Sequence, residues 1–361
     1  MKRRDFLTAS VAGGVAAVAT PAIAQSSPEI RWRMTSSFPK QLDVFYGGAE
    51  FFARQVADLT DGRFQINVLA AGEPVAALQS LDATASGTVD AAYASAHYFV
   101  GKDPAYAIFA SVPFGLNARM QNSWLSQGGG NELANQLFAK ANLIGFPCGN
   151  TGTQMGGWFR KELKSVADLS GLKFRIGGIG GQVLQKLGVL PQQAAGGDVV
   201  AMLKSGALDA AEWVGPHDDE KREFAKVAPY YYYPAFWEGG PTVHAFFNLQ
   251  KYNALPKTYQ AALTNAAANA NAWVLARYDM LNPAAMKRLV TDGVQFRPFP
   301  DEILDAALAA TNELWLEISA GNADFKKAIE SMLAYRSDQY LWWRVAEYSN
   351  DTFMIRSRTR G

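Results

Sequence analysis

Two spacings of apolar residues succeed each other along this chain. Glu29-Ile-Arg-Trp-Arg-Met34 alternates polar and apolar positions, which predicts a first strand, and Asp43 to Asp58 carries the spacing of a helix. Arg63 to Leu69 reads as a strand, Val75 to Ser86 as a helix, and Thr88 to Tyr93 as a further short strand. The pattern returns mid-chain: Asn142–Pro147, Leu172–Ile176 and Ala207–Ala211 read as strands, with helices over Gly180–Leu187 and Asp198–Ser205. Alternation in units of about 30 residues predicts an α/β fold with parallel sheets. Helical patterns then dominate: Pro256 to Ala276, Asp301 to Glu317, and an aromatic-rich tail from Ala323 to about Phe353 that lacks sustained heptads.

Two phrases repeat. Leu81 to Ala92 and Val200 to Ala211 each run from a helix through Ser-Gly and one apolar residue into Asp-Ala-Ala. Glycine after a helix and before a strand is ordinary loop chemistry, so the repeat reads either as two lobes built alike or as reuse of a common loop.

At the N-terminus, Lys2-Arg-Arg4, the weakly apolar Val11 to Ala19 and Pro21-Ala-Ile-Ala24 have the order of a secretory signal, and Arg3-Arg4 before Phe6-Leu7 suggests the twin-arginine route. Residues 1–24 are therefore expected to be cleaved, with the mature chain starting near Gln25 in the periplasm. Losing Lys2, Arg3, Arg4 and Asp5 takes the formal charge from +1 to −1. A near-neutral surface argues against a nucleic-acid partner. The single cysteine, Cys148, excludes an internal disulfide, so the core must hold the fold. With 9 Trp, 14 Tyr and 21 Phe, there are aromatics enough to fill a core and also line a cleft.

No catalytic constellation is present. His97, His217 and His244 form no HExxH, there is no G-x-S-x-G, and Cys148 sits in no nucleophile signature. Gly177-Gly-Ile-Gly-Gly181 misses the dinucleotide fingerprint because Val183 stands where the third glycine belongs; tight packing is the favoured reading. Gly149 to Gly157 is a polar, glycine-punctuated turn suited to a hinge or cleft wall. Alternation separates Arg175 from Leu172, Phe174 and Ile176 and puts it near a strand's carboxyl end, where open α/β sheets bind ligands; its planar fork suits a carboxylate. Glu212 ends another strand in apolar surroundings and therefore needs a partner: Arg175, or a cation with oxygens from Glu212, Gln154 and a backbone carbonyl. The run Tyr230 to Tyr233 reads equally as packing or as pocket lining.

At these residues the sequence strongly resembles the extracytoplasmic solute receptors of TRAP transporters, closest to the branch that binds 2-oxoacids such as pyruvate. The matching pieces are Ser36-Ser-Phe-Pro39, Phe146-Pro147 with Gly149-Asn-Thr-Gly152, Gln154 to Arg160, Leu172 to Gly178, Glu212-Trp-Val-Gly-Pro216, Tyr230 to Pro234 and Trp237 to His244, spread over nearly the whole mature chain. The resemblance implies a two-lobed periplasmic-binding-protein-like fold with hinge strands, a long helix spanning both lobes and a helical C-terminal tail. On that plan residues 25–150 with about 239–290 make lobe I, residues 151–238 with about 291–322 make lobe II, and residues 323–361 form the tail. It further implies delivery of ligand to membrane permease subunits. Arg175 would clamp the ligand's carboxylate, with Gln154, Trp213, Asn150, Tyr98, Phe99 and Glu238 as further ligand-binding residues. Bound sodium, with calcium as the alternative ion, would be held by Gln154, Glu212 and the Trp213 carbonyl. The segment His97-Tyr98-Phe99 matches less closely.

An exported enzyme and a sensor ectodomain are the alternatives from other classes. Neither is favoured, because no metal triad, nucleotide loop or signalling domain is visible, and a lactate-like hydroxy acid is the alternative ligand. The tail carries Phe325, Met332, Leu333, Tyr335, Tyr340, Leu341, Trp342, Trp343, Tyr348 and Phe353. It reads as a homodimerisation element, or as a helix that packs on its own lobes.

Overall fold

The computed structural model describes residues 28–194 and 198–358; the leader expected over residues 1–24 lies outside them. Among the described residues no helix is long and apolar enough to cross a membrane.

The chain opens with β1 (Ile30–Ser36), α1 (Asp43–Leu59), β2 (Phe64–Leu69), α2 (Ser80–Ala85) and β3 (Ala91–Ser95), as the spacing predicts to within a few residues. Two helices that the spacing does not predict, α3 (Ala118–Gln127) and α4 (Gly130–Ala139), precede β4 (Leu143–Asn150). The chain then crosses to a second sheet through β5 (Gly157–Phe159), β6 (Lys173–Arg175), α5 (Gly178–Lys186), β7 (Leu190–Gln192), α6 (Val199–Ser205), β8 (Ala210–Ala211), α7 (Pro216–Asp219) and β9 (Tyr230–Tyr233). It returns through β10 (Thr242–Asn248) and α8 (Leu249–Asn253), runs along α9 (Lys257–Thr291), re-enters the second sheet at β11 (Gln295–Pro298), and ends in α10 (Asp301–Gly321), α11 (Ala323–Val345) and α12 (Glu347–Arg358).

The first sheet has the order β2-β1-β3-β10-β4 and the second β11-β9-β5-β8-β6-β7. Neither is purely parallel, which corrects the expectation. β10 runs antiparallel to β3 and β4, and β5 antiparallel to β8 and β9. Each is the strand by which the chain enters a sheet directly from the other one, without a helical crossover to turn it round. The two crossings, residues 151–156 and 234–241, lie side by side, joined by Thr151 N–H to Pro241 O, Gln154 N–H to Glu238 O and Ala235 N–H to Gln154 O.

The repeated phrase falls once in each sheet. Gly87 at φ 80° and Gly206 at φ 81° take the left-handed conformation that ends α2 and α6 before β3 and β8, so the two lobes do share this unit. The tyrosine run is β9, with Tyr231 and Tyr232 buried: it is packing, not cleft lining.

Helix α9 extends well past Ala276 and contains Pro283. At about 1.5 Å per residue it is about 50 Å long, which lets it pack on α1 and β4 with one half and on α7 with the other. Tyr259, Leu263, Ala270 and Val274 belong to the core of the first sheet, and Leu289 to that of the second. Apolar anchors on both sides of Pro283 hold the helix continuous despite the missing N–H. The tail is two helices rather than one, broken at Ala346. Phe325, Ala328, Ile329 and Met332 of α11 bury into the protein's own core, against α3 and α4.

Where α1 meets α9, a Cβ on Gly48 would lie 2.5 Å from the Tyr93 hydroxyl and 2.6 Å from Val274 Cγ2, both on fully buried side chains. Gly48→Ala is expected to destabilise the protein despite the roughly 1 kcal/mol that alanine adds to a helix, because overpacking costs about 1–3 kcal/mol. Urea unfolding monitored by tryptophan fluorescence checks this; a midpoint at or above the wild type's shows that the interface has room.

Candidate ligand-binding cleft

A cleft of about 1000 Å³ opens between the sheets beside the two crossings. Ser37, Phe38 and Tyr98 wall it from the first lobe; Arg175, Glu212 and Trp213 wall it from the second.

The second wall follows from strand register. β6 and β8 are parallel neighbours with Arg175 opposite Ala211, so Arg175 and Glu212 leave the sheet together at its carboxyl edge. Arg175 Nη1 donates to the Glu212 carbonyl at 2.7 Å and to Glu212 Oε2 at 2.8 Å, and the guanidinium lies 5.2 Å from the Trp213 ring centre. These bonds use Nη1 alone, so the fork keeps further N–H donors for an anion.

Charge is short on one side. Burial pushes the Glu212 carboxyl up to about 6, with Arg175 pulling it back. Glu238, also in the cleft, is driven well above the usual carboxylate range by burial and then by the Glu212 charge, against Arg175. Arg175 lowers both carboxylates but carries one charge against two when both are ionised; a proton on either, or further positive charge, restores the balance. His97 does not supply it. Its Nδ1 lies 2.9 Å from Ser95 Oγ and its Nε2 3.9 Å from Glu238, and burial lowers the imidazole to about 4, leaving it neutral.

Gln154 sits in the first crossing, buried, with its Nε2 on Thr151 Oγ1 at 3.3 Å. Its Oε1 is buried without a hydrogen-bond partner, as are the indole N–H groups of Trp213 and Trp237. An orphaned buried carbonyl oxygen costs about 1–3 kcal/mol, and a cation with oxygen ligands would relieve it. Glu212 and Gln154 therefore fit such an ion by donor type. Tyr98 stands 37 % exposed at the cleft, its ring 6.0 Å from that of Phe38.

Two expected ligand residues lie elsewhere. Asn150 is fully buried in the hinge, donating to Gly240 O at 2.9 Å and accepting from Gly152 N–H at 2.9 Å. Phe99 is 3 % exposed and packs in the core beside Tyr106. Neither lines the cleft; a buried face of the same turn takes Phe99 while Tyr98 faces out. Conversely Trp237, Lys221 and Arg222 line it, residues that the sequence pattern does not single out as ligand contacts. Trp237 packs over Gly180, whose added Cβ would come 2.8 Å from it, so the glycine run of α5 serves close packing.

A second group, Asp43, His217 and Asp218, places its ligating atoms within 4.8 Å of one another. Lys221 already stands among them, paired with Asp43, 2.9 Å from His217 Nε2 and 3.6 Å from Asp218 Oδ1. An ammonium thus does locally what a metal would, and it ties α1 to the segment after β8.

The DctP model, which describes bacterial extracellular solute-binding proteins of family 7, matches residues 35–322. A monocarboxylate 2-oxoacid-binding periplasmic protein of a Nostoc species is 46% identical over 365 residues, covering 99% of this chain and 100% of that protein. A TRAP transporter solute-binding protein from Bordetella bronchiseptica is similar at 44% identity and TM-score 0.89, over 92% of this chain and 99% of that one. It is a mixed-occupancy dimer, with calcium and picolinate bound in one active site and the other site apo. TRAP periplasmic solute-binding proteins from Colwellia psychrerythraea, with calcium and pyruvate, and Pseudoalteromonas atlantica, with sodium and pyruvate, are each 33% identical. Their TM-scores are 0.86 and 0.85, each covering 89% of this chain and 98% of the other. The chain belongs to the DctP family of extracellular solute-binding proteins, and is a TRAP-type transport receptor rather than an enzyme.

Proposed function

We propose that this periplasmic receptor binds a small 2-oxo monocarboxylate of the pyruvate kind together with a cation, for delivery to membrane permease subunits. The observation that carries it is the orphaned Gln154 oxygen in the same cleft as the Arg175–Glu212 pair. Arg175 would hold the ligand's carboxylate through its remaining N–H donors, with Tyr98, Glu238 and Trp213 around it. Gln154, Glu212 and the Trp213 carbonyl would hold sodium or calcium, whose positive charge balances the carboxylates when it is bound. Pyruvate with sodium or calcium in relatives at 33% identity supports this reading. Asn150 would act from behind, by setting the hinge, and Phe99 by backing Tyr98. The division into lobe I, residues 25–150 with about 239–290, and lobe II, residues 151–238 with about 291–322, follows the two crossings.

The tail is proposed to meet a second copy through its distal part. Beyond the home-packed half of α11, Leu341, Trp342, Val345, Tyr348, Phe353 and Ile355 are all at least 58 % exposed. That is a larger apolar surface than a monomer usually leaves in water. Light scattering at micromolar concentration should give twice the mass of one chain; a single-chain mass unaffected by concentration removes the proposal.

Replacing the planar fork tests the ligand. Arg175→Lys should weaken pyruvate binding by about tenfold or more, since losing a charge-assisted bond costs about 1.5–3 kcal/mol. Titration calorimetry with pyruvate and lactate measures it and shows which is preferred. Affinity unchanged in the folded variant excludes Arg175 as the clamp.

The cation makes a pH prediction. Glu212 titrates near 6 when folded, above its usual 4.5. Its contribution to stability is thus full below 4.5 and is lost as pH rises through about 6, where the charged form is buried. A cation relieves that cost, so sodium or calcium should raise the melting temperature more at pH 7.5 than at pH 5. Glu212→Gln should remove the difference. Equal shifts at both pH values in the wild type would rule out Glu212 as a ligand to the ion.

A further inference from the structure

The segment that carries Glu212 and Trp213 has a scaffold of its own. Asp219, completely buried on α7, accepts four hydrogen bonds. Its Oδ1 takes the backbone N–H groups of Val214 at 3.0 Å and Gly215 at 2.9 Å. Its Oδ2 takes the Trp158 indole N–H at 2.9 Å and the Tyr231 hydroxyl at 2.7 Å. Trp158 on β5 and Tyr231 on β9 stack with ring centres 4.0 Å apart in the core of the second sheet. One carboxylate therefore fastens the loop after β8 to the core of the second sheet.

The consequence for the cleft is geometric. Val214 N–H and the Trp213 carbonyl belong to one planar peptide unit and point in opposite directions. Pinning the N–H on Asp219 turns the Trp213 carbonyl away from Asp219 and fixes its direction. Arg222, three residues on, lies 4.8 Å from the Trp213 ring centre and holds the same residue from its side chain.

The choice of residue is costly, which argues for a purpose. Burial raises the Asp219 carboxyl to about 7 even though Tyr231 and Trp158 bond to it, and the neighbouring Asp218 charge raises it further. Filling the volume alone needs no charge. Accepting from two amides on one oxygen and two side chains on the other does need a carboxylate, because an amide side chain would turn an NH2 toward one pair of donors.

We infer that Asp219 is a positioning residue of the binding site, holding Glu212 and the Trp213 carbonyl in place before cation and ligand arrive. The inference rests on the proposed role of those two groups. Mutation of residues that orient metal ligands typically costs about 10–100-fold in metal affinity.

Calorimetry with pyruvate and calcium, on the mature wild type, Asp219→Asn and Tyr231→Phe, is the test. The wild type should bind. Asp219→Asn should lose about 10–100-fold in affinity for both components. Tyr231→Phe, which removes one donor but leaves the carboxylate on both amides, should stay within about threefold whatever its stability loss, because the loop anchor survives. Wild-type affinity in folded Asp219→Asn overturns the inference, and so does an equal loss in the two variants. Should Asp219→Asn not fold, hydrogen exchange of the ligand-free wild type decides: Val214 and Gly215 amides protected without ligand support preorganisation, whereas amides protected only once ligand is added overturn it. A wild type that binds neither pyruvate nor calcium instead removes the proposed function, and leaves the exchange result to judge Asp219.

Discussion

Burying the Glu212 carboxylate beside a single guanidinium is the constraint around which this cleft is built. An ionised carboxylate taken out of water costs far more than a neutral polar group, and one partner rarely compensates in full. Arg175 contributes by bonding both to the side chain and to the carbonyl of Glu212, and the parallel register of β6 and β8 brings the two together. Glu238 then tips the balance toward excess negative charge, which is why the site holds a proton or favours a cation. The electrostatic deficit is thus a property of the protein itself.

That deficit sits where the chain changes lobe. The crossings at residues 151–156 and 234–241 carry Gln154 and Glu238, so two of the polar groups facing the cleft are hinge residues. Asn150 fastens one crossing to the other through Gly240. Any rotation of one lobe against the other has to bend these two hydrogen-bonded crossings. Helix α9 joins the lobes on the other side: Tyr278 and Asn282 hold Asp218 and the His217 amide on α7, and Arg288 holds Glu220 just after it.

Much of this was legible in the sequence because the informative signals were local. Arg175 and Glu212 stood out as charges at the ends of apolar strands, and Gln154 as a polar residue in a glycine-punctuated turn. What was not legible depends on distant partners. β10 is buried along its whole length from Thr242 to Asn248, so it shows no alternation to read. α9 runs through Pro283 only because both lobes grip it. Nothing in the apolar spacing singles out Asp218-Asp-Glu-Lys-Arg222, yet the structure gives Tyr278 to Asp218, two loop amides to Asp219, Arg288 to Glu220, Asp43 to Lys221 and the Trp213 ring to Arg222. Composition is blind to that division of labour. Tyr98 and Phe99 illustrate the same limit at one step: adjacent aromatics in a tight turn face opposite ways, and only packing says which one reaches the cleft.

The size of the proposed ligand means that charge, and not apolar area, has to supply most of its affinity. A pyruvate-like acid has about six heavy atoms, and the best small ligands gain about 1.5 kcal/mol per atom, which bounds its binding free energy near about 9 kcal/mol. Micromolar affinity already requires about 8.2 kcal/mol. Hardly any of that range remains for ordering protein groups during binding, so the groups that touch the ligand must be in place beforehand. Apolar walls cannot do this for so small a molecule, because it has little surface to bury. Fixed donors and a loop tied to the sheet by an internal carboxylate can, since each incurs its ordering cost during folding rather than at the moment of capture.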